Sequence, residues 1–554
     1  MDRIRFGLWF GLLASVWISY TTWIEDNQTE VPVAAIQDQP ALDLDELPSA
    51  PTDGDLPQIG GEESTVPALT ETEEPASIGR LVTVKTDVLD LVINLDGGDL
   101  VRADVLRYPV DKENPNVPVR LLDYTAENLW VFQTGLVSRP DTPAPTHQQA
   151  YSADSDSYQL ADGADTLEIR LSWTGPDGLS AEKVYTFRRG QYAIDLNLVV
   201  RNQGTDAWPA RAYAQMTRFH RPVDRSFMSV DSYSFTGPVL YDGDQYEKID
   251  FDDIQSEPIE QIVANGWLAS IQHHFLGAIV PLTEEATSYE ARTLGANYRL
   301  RALSPDKSVA AGGEMSYPLR LFVGPKLQDQ LSAAAPDREL RLTVDYGMLT
   351  VLSQPLFWVL DLIHGWVLNW GLSIILTTFC IKLVFYKLTA TSGRSMAKMR
   401  KLAPRMKALQ ETHKEDRQAL SQAMMALYKK EKVNPAAGCL PILVQMPFFF
   451  AFYWVLIESV EMRQAPFALW ISDLSVRDPF FILPLLMTGA MLFQMRLNPA
   501  PPDPVQAKVM QIMPIAFGFM FAFFPAGLVL YWLTNTVVSI AQQWRINKLV
   551  AMEA

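Results

Sequence analysis

Lys382 is the one charge in the apolar run Gly371–Tyr386, GLSIILTTFCIKLVFY. A lysine at the centre of a membrane helix costs about 2.5–3.5 kcal/mol on insertion scales, so something must offset it. By the plainer reading it snorkels, because it lies about one turn from the basic end of the run and its four-carbon stem reaches the headgroups. By the other it lines a polar cavity inside the membrane, and Thr378, one turn earlier on the same helix face, supports that. Gln445, Gln511, Thr534, Asn535 and Ser539 recur in neighbouring apolar segments. A Ser–Lys pair could also be a nucleophile and its base. Ser373 stands on the same helix as Lys382 more than two turns away, out of reach; Ser539 stays geometrically open but has no motif behind it. A mid-membrane charge equally suits a secondary transporter, although such folds carry paired halves with interrupted helices and no internal repeat is found.

The segments that must position these residues follow from hydropathy. The chain has 554 residues, 48% of them hydrophobic, which leaves room for a soluble domain beside a membrane bundle. Phe6–Trp23 follows a short basic start and, with its aromatics and no A-x-A site, reads as an uncleaved anchor rather than a signal peptide. Further apolar runs cover Leu368–Leu388, Leu440–Ile457, Phe480–Leu497, Val509–Phe524 and Gly527–Trp544, some barely long enough to cross a bilayer. The fold class expected is therefore a multi-pass α-helical membrane protein of six spans with a large all-β domain.

The net charge of −18 is divided sharply: acidic from Glu25 to Asp345, basic from Lys387 to Lys432. The excess of lysine and arginine puts the N-terminus, the basic stretch and the C-terminus in the cytoplasm, and the acidic region on the far side. The two cysteines, Cys380 and Cys439, lie in or beside apolar runs, so no disulfide framework holds the acidic region.

Residues 25–79 are rich in Pro, Asp, Glu and Thr, which reads as a flexible tether. From Arg80 the pattern alternates, as in LEIRLSW from Leu167, with turn signals between, and this predicts a β-sandwich over 80–340. His273-His274 is its one tempting metal pair; if both sit in a strand they point to opposite faces and cannot converge. No metal, cofactor, nucleophile elbow or phosphate loop is expected there. Residues 346–367 read as an amphipathic helix on the outer membrane boundary. In 389–438, Met399, Leu402, Met406 and Leu409, then Leu420, Met424 and Leu427, recur at helical spacing and predict an antiparallel hairpin. Thr412–Glu415 has the spacing of a capping box for its second helix. Met399, Met406, Met424 and Met425 suit adaptable docking, and the basic face suits RNA or anionic lipid.

SMAKMRKLAPRMKALQ from Ser395, MMALYKKEKVNPAAGCLPILVQMPFFFAFYWVL from Met424, RQAPFALWISDLS from Arg463, DPFFILPLLM from Asp478 and FFPAGLVLYW from Phe523 resemble the YidC-type membrane protein insertases, the YidC/Oxa/Albino family. The resemblance covers the whole architecture and the form found in Gram-negative members. It implies an anchor at 1–24, a galactose-mutarotase-like periplasmic domain, and a five-helix core with spans at 368–388, 439–460, 479–497, 507–525 and 527–545, then a short tail at 546–554. The implied function is insertion and folding of inner-membrane proteins, alone or beside the Sec translocon, with no enzymatic step. The implied partners are nascent inner-membrane proteins, the ribosome, Sec components and anionic lipids, and not DNA. In the family a basic residue in the second span lines a hydrophilic groove open to cytoplasm and lipid; that position is Lys382 here, where most relatives carry arginine. Family groove and core positions fall on Thr378, Phe449, Met487 and Trp532, the last commonly tyrosine. Gln445 and Asn535 complete the expected groove. The tail lacks the long basic extension some relatives use on the ribosome.

Overall fold

The computed structural model describes residues 79–139, 142–222, 234–413, 416–431, 440–497 and 504–552. The anchor over Phe6–Trp23, the tether up to residue 78 and Cys439 lie outside them.

Strands run from Leu81 to Pro325 and form two sheets, one of eleven strands and one of nine. Alternation drives the pairing. In Leu179–Arg188 every second residue is buried, and the strand pairs antiparallel with Thr166–Thr174 on one side and Ala193–Asn202 on the other. Trp267, Tyr185, Phe187, Phe132 and Phe322 fill the space between the sheets, each at most 2% exposed. Burying each contributes about 1.5–3 kcal/mol. An inward position on Leu179–Arg188 is charged: Lys183 donates to the Gly97 and Thr134 carbonyls with Asp99 Oδ1 at 3.6 Å, which is how a buried cation is held.

The last strand ends at Pro325. After Pro325 the chain leaves the sheet for helix α2 (Gln328–Ala334) and a 3-10 turn at Leu340–Thr343; the short α1, Phe251–Ser256, sits among the strands. This belt is tied back: Trp267 Nε1 donates to Arg338 O at 2.6 Å, and the Arg338 guanidinium reaches the Pro281 and Thr283 carbonyls.

The helical part comprises α3 (Thr350–Val367), α4 (Trp370–Val384), α5 (Tyr386–Thr412), α6 (Arg417–Lys430), α7 (Leu440–Glu458), α8 (Ile482–Leu497), α9 (Pro504–Phe521) and α10 (Ala526–Met552). α3 packs on α4 and α7, and α10 packs on α4, α5 and α8. Several expectations need correction. The run at 368–388 is not one straight span: α4 stops at Val384, and α5 leaves it at 69°. The cause is local, because from Tyr386 the sequence turns amphipathic and basic and must leave the apolar phase. By length and composition Gly347–Val367 is long enough to cross a membrane, and the bent pair could supply a second span; Val444–Glu458, Ile482–Leu497 and Lys508–Phe521 are shorter apolar helices. The described helices do not by themselves confirm six spans, and the expected first span lies outside them. α10 is helical through Met552, so the described part of the short tail expected at 546–554 continues that helix.

The hairpin also differs in detail. Thr412 closes α5, its hydroxyl donating to Ala408 O, so it does not cap the next helix. Asp416 does: its carboxylate accepts from the Gln418 and Ala419 amides, both at 2.9 Å.

Candidate functional site

Three helices bring polar groups together at one depth. Lys382 follows the start of α4 at Trp370, Gln445 precedes the end of α7 at Glu458, and Ser539 follows the start of α10 at Ala526. Each of these intervals is roughly three and a half helical turns, or about 18–20 Å from the outer helix end. Those ends are level because one loop holds them. Asn369, the N-cap of α4, accepts from Leu372 N and donates through Nδ2 to Phe467 O. The first amides of α10, Ala526 and Gly527, donate to Val476 O and Leu474 O. That loop, Ser459 to Asp478, follows directly from α7. Asp478 anchors it: the buried carboxylate accepts from Trp470 Nε1, Phe480 N and Leu483 N at 3.0, 3.0 and 2.7 Å, fixing the start of α8.

At the common depth Lys382 is 5% exposed, and its Nζ donates to Ser539 Oγ at 2.9 Å and to Gln445 Oε1 at 3.5 Å. The ammonium is turned into the bundle, toward Ser539 and Gln445. Ser539 donates its own proton to Asn535 O at 2.7 Å, one turn back along α10. Outward of this group stands an aromatic block. Phe449 meets Trp532 edge-on at 4.6 Å and stacks on Tyr531 at 5.8 Å; Phe517 and Phe521 pack on Trp532. Met487 is fully buried in the same cluster. The polar site thus has an apolar floor on its outer side.

The expected groove residues divide in four. Lys382 and Gln445 bond each other. Phe449, Met487 and Trp532 form the floor. Thr378 is buried one turn away, but its hydroxyl is spent on Ile374 O at 2.7 Å, and Thr534 is spent likewise on Leu530 O. Asn535 contributes a backbone carbonyl. Gln511 on α9 is exposed. Ser373 bonds Asn369 O and takes no part. Ser539, read from the sequence both as one of the recurring polar residues and as a candidate nucleophile, is the nearest partner of the cation, and its proton is already committed to a carbonyl. In the hairpin, Met399, Met406 and Met424 are half-buried, with Met406 Sδ 3.9 Å from Tyr428 OH, whereas Met425 faces solvent at 42% exposure. α5 leans on α10 through Ala397, Ile546 and Val550, and Lys401 Nζ donates to Val550 O.

The histidine pair needs correction too. His273 and His274 lie in the turn between strands ending at Gln272 and starting at Phe275, so alternation does not apply. Their rings stack at 3.8 Å, and both Nε2 atoms face Ile457 O at 3.0 and 3.2 Å, at the outer end of α7. They join the sandwich to the bundle. Among the described residues no group of three or more His, Cys, Asp or Glu could hold a metal ion. Further ties across this junction are Arg463 to the Pro109 and Val110 carbonyls and Gln464 to Pro109 O. None of these was legible from periodicity, because each joins segments far apart in the chain.

A family model described as the 60Kd inner membrane protein matches residues 362–553, and one described as the YidC periplasmic domain matches residues 81–359. The membrane protein insertase YidC of Thioalkalivibrio sulfidiphilus is 46% identical over 558 residues, covering 99% of this chain and 98% of the relative. That of Nitrosococcus oceani is 43% identical over 560 residues and covers 100% of both. The sandwich half is similar to a galactose mutarotase-like protein from Lactobacillus casei, with 10% identity, a TM-score of 0.30 and coverage of 44% of this chain and 99% of that one. The two family models tile 81–359 and 362–553 without overlap, and the relatives align end to end: the chain belongs to the YidC family of membrane protein insertases of the bacterial inner membrane.

Proposed function

We propose that insertion proceeds through a half-open polar groove centred on Lys382, by lowering a solvation barrier and not by covalent chemistry. The observation that carries this reading is the Lys382–Ser539–Gln445 cluster, assembled from three helices at one depth above an aromatic floor. A client with an apolar segment and an attached polar tail must carry that tail through hydrocarbon, where each unsatisfied polar group costs several kcal/mol. A cation part-way through the membrane shortens the dry path and attracts acidic tail residues. α8, with 16 residues, spans about 24 Å, less than a typical hydrocarbon core, so it favours local thinning of the bilayer. In this reading the sandwich lies in the periplasm, both termini and the α5–α6 hairpin lie in the cytoplasm, and the chain has no enzymatic role. The hairpin would receive nascent chains and meet the ribosome, Sec components or anionic lipid. The mid-membrane transporter reading has no support in the relatives.

Lys382→Ala should impair insertion of a small client with an acidic translocated tail, and Lys382→Arg should restore it. Wild-type insertion of such a client by Lys382→Ala in reconstituted proteoliposomes refutes the groove. For the hairpin, removal of Arg417–Lys430 should abolish crosslinking of stalled nascent chains, and unchanged crosslinking refutes that role.

A further inference from the structure

The groove cation is a lysine, a point charge on a flexible stem, and a point charge needs to be aimed. Its surroundings supply the aim. Ser539 commits its only proton to Asn535 O, so only its lone pairs remain for the Lys382 ammonium. Gln445 is oriented by the same charge: its carbonyl Oε1 faces Nζ, because the amide flipped would set NH2 against NH3+. That orientation leaves Gln445 Nε2, which is buried and has no hydrogen-bond partner among the described residues, beside the ammonium. A buried donor without a partner is costly to leave unmade, and the groove is where that cost can be recovered.

We propose that Ser539 is a positioning residue that fixes the Lys382 ammonium so that Lys382 Nζ and Gln445 Nε2 together form a two-donor cradle for a carboxylate of the client. The two donors come from different helices, α4 and α7, and the acceptor that holds the cation comes from a third, α10. The ligand class is an acceptor-only anionic group, the side chain of Asp or Glu in the polar tail, since both free positions are N–H donors. The cradle gives this lysine the paired-donor geometry that a single guanidinium carries in itself. The inference rests on the groove reading above and deepens it.

The test uses the full chain in proteoliposomes and two clients that differ only in a tail Glu or Gln, and reads the Glu/Gln insertion ratio. Charge-assisted hydrogen bonds are worth about twice neutral ones, so Ser539→Ala should lower that ratio about five- to tenfold, with Ser539→Thr restoring it. Gln445→Leu should lower it similarly. A guanidinium carries its own fork, so in the Lys382→Arg background Ser539→Ala should leave the ratio where Lys382→Arg alone puts it. A loss of equal size in that background, or equal losses for both clients, shows that Ser539 is merely structural and overturns the proposal. Lys382→Ala with an unchanged ratio overturns the groove reading itself, a separate result. If Ser539→Ala does not accumulate, the Thr and Gln445→Leu variants carry the same comparison.

Discussion

Lys326 and Glu458 face each other across the junction of sandwich and bundle, Nζ to Oε2 at 3.7 Å, with side chains 0% and 2% exposed. Lys326 is the first residue after the last strand, and Glu458 is the last residue of α7. Breaking a buried pair from one side leaves an uncompensated charge and costs about 3–5 kcal/mol, whereas replacing both with apolar residues is often neutral or stabilising. Glu458→Leu alone should therefore lower the melting temperature of the full chain and expose the 326–346 belt to protease. The double variant Lys326→Met/Glu458→Leu should recover most of the loss. A double variant as unstable as the single one would show that the pair matters for something other than charge balance.

His274 makes the same junction sensitive to acid. Burial holds its imidazole well below the ordinary histidine range; His273, Lys326 and Arg463 push the same way, and only its bond to Ile457 O opposes them. Above about pH 6.5 the group is neutral whether docked or not. As pH falls below that value the undocked form takes up a proton that the docked form refuses, so docking weakens with acidification. Proteolytic release of the sandwich should rise as the pH is lowered from about 7 to about 5. His274→Gln keeps a donor at the position of Nε2 without a titration, and should flatten the dependence. An unchanged slope in that variant assigns the effect to another group.

Gly371 tests the outer loop. A Cβ there would lie inside the Phe467 ring, and Phe467 O is the acceptor that ties α4 to the loop. Gly371→Ala should destabilise the bundle by about 1–3 kcal/mol through overpacking. Gly365→Ala in α3, where nothing lies within 4 Å, should be neutral or slightly stabilising because alanine is the better helix former. Thermal unfolding in detergent compares the two, and equal melting temperatures would remove the loop from the account.

The place where the sandwich can be cut follows from the belt. Deletion of residues 80–325 keeps Lys326 with Glu458 and keeps Tyr346, whose hydroxyl lies 3.5 Å from Ser459 Oγ. Insertion should survive this deletion. Extending it through Tyr346 should abolish insertion, because Glu458 then loses its cation and α3 its anchorage. A client insertion assay on both deletions decides; loss with the shorter one gives the sandwich a direct part in insertion.

Much of this arrangement could be read from residue order, and the failures share a cause. Lys382 stood out because a charge in an apolar run is locally anomalous. Ser539 was visible only as one polar residue among several and as a nucleophile without a motif; its role as acceptor for Lys382 was not legible, since the two helices lie far apart in the chain. The strands of the sandwich were legible from alternation, yet the same rule misplaced His273 and His274, where the chain is turning and consecutive side chains share a side. The Thr412 capping box failed because α5 continued through it and spent the hydroxyl on its own previous turn. Local patterns report local structure; register between distant segments is decided by packing.

In the groove proposed above, the depth of Lys382 would set a length on the client as well. From its level to the outer end of α4 is about 18 Å. An extended chain covers that distance in about five or six residues. A tail whose acidic residue pauses at the cation therefore already has its tip at the far surface, solvated by water beyond the outer loop. On that reading the groove would act as a ruler: the residue that must be helped is the one that trails the emerging tip by that short extended stretch.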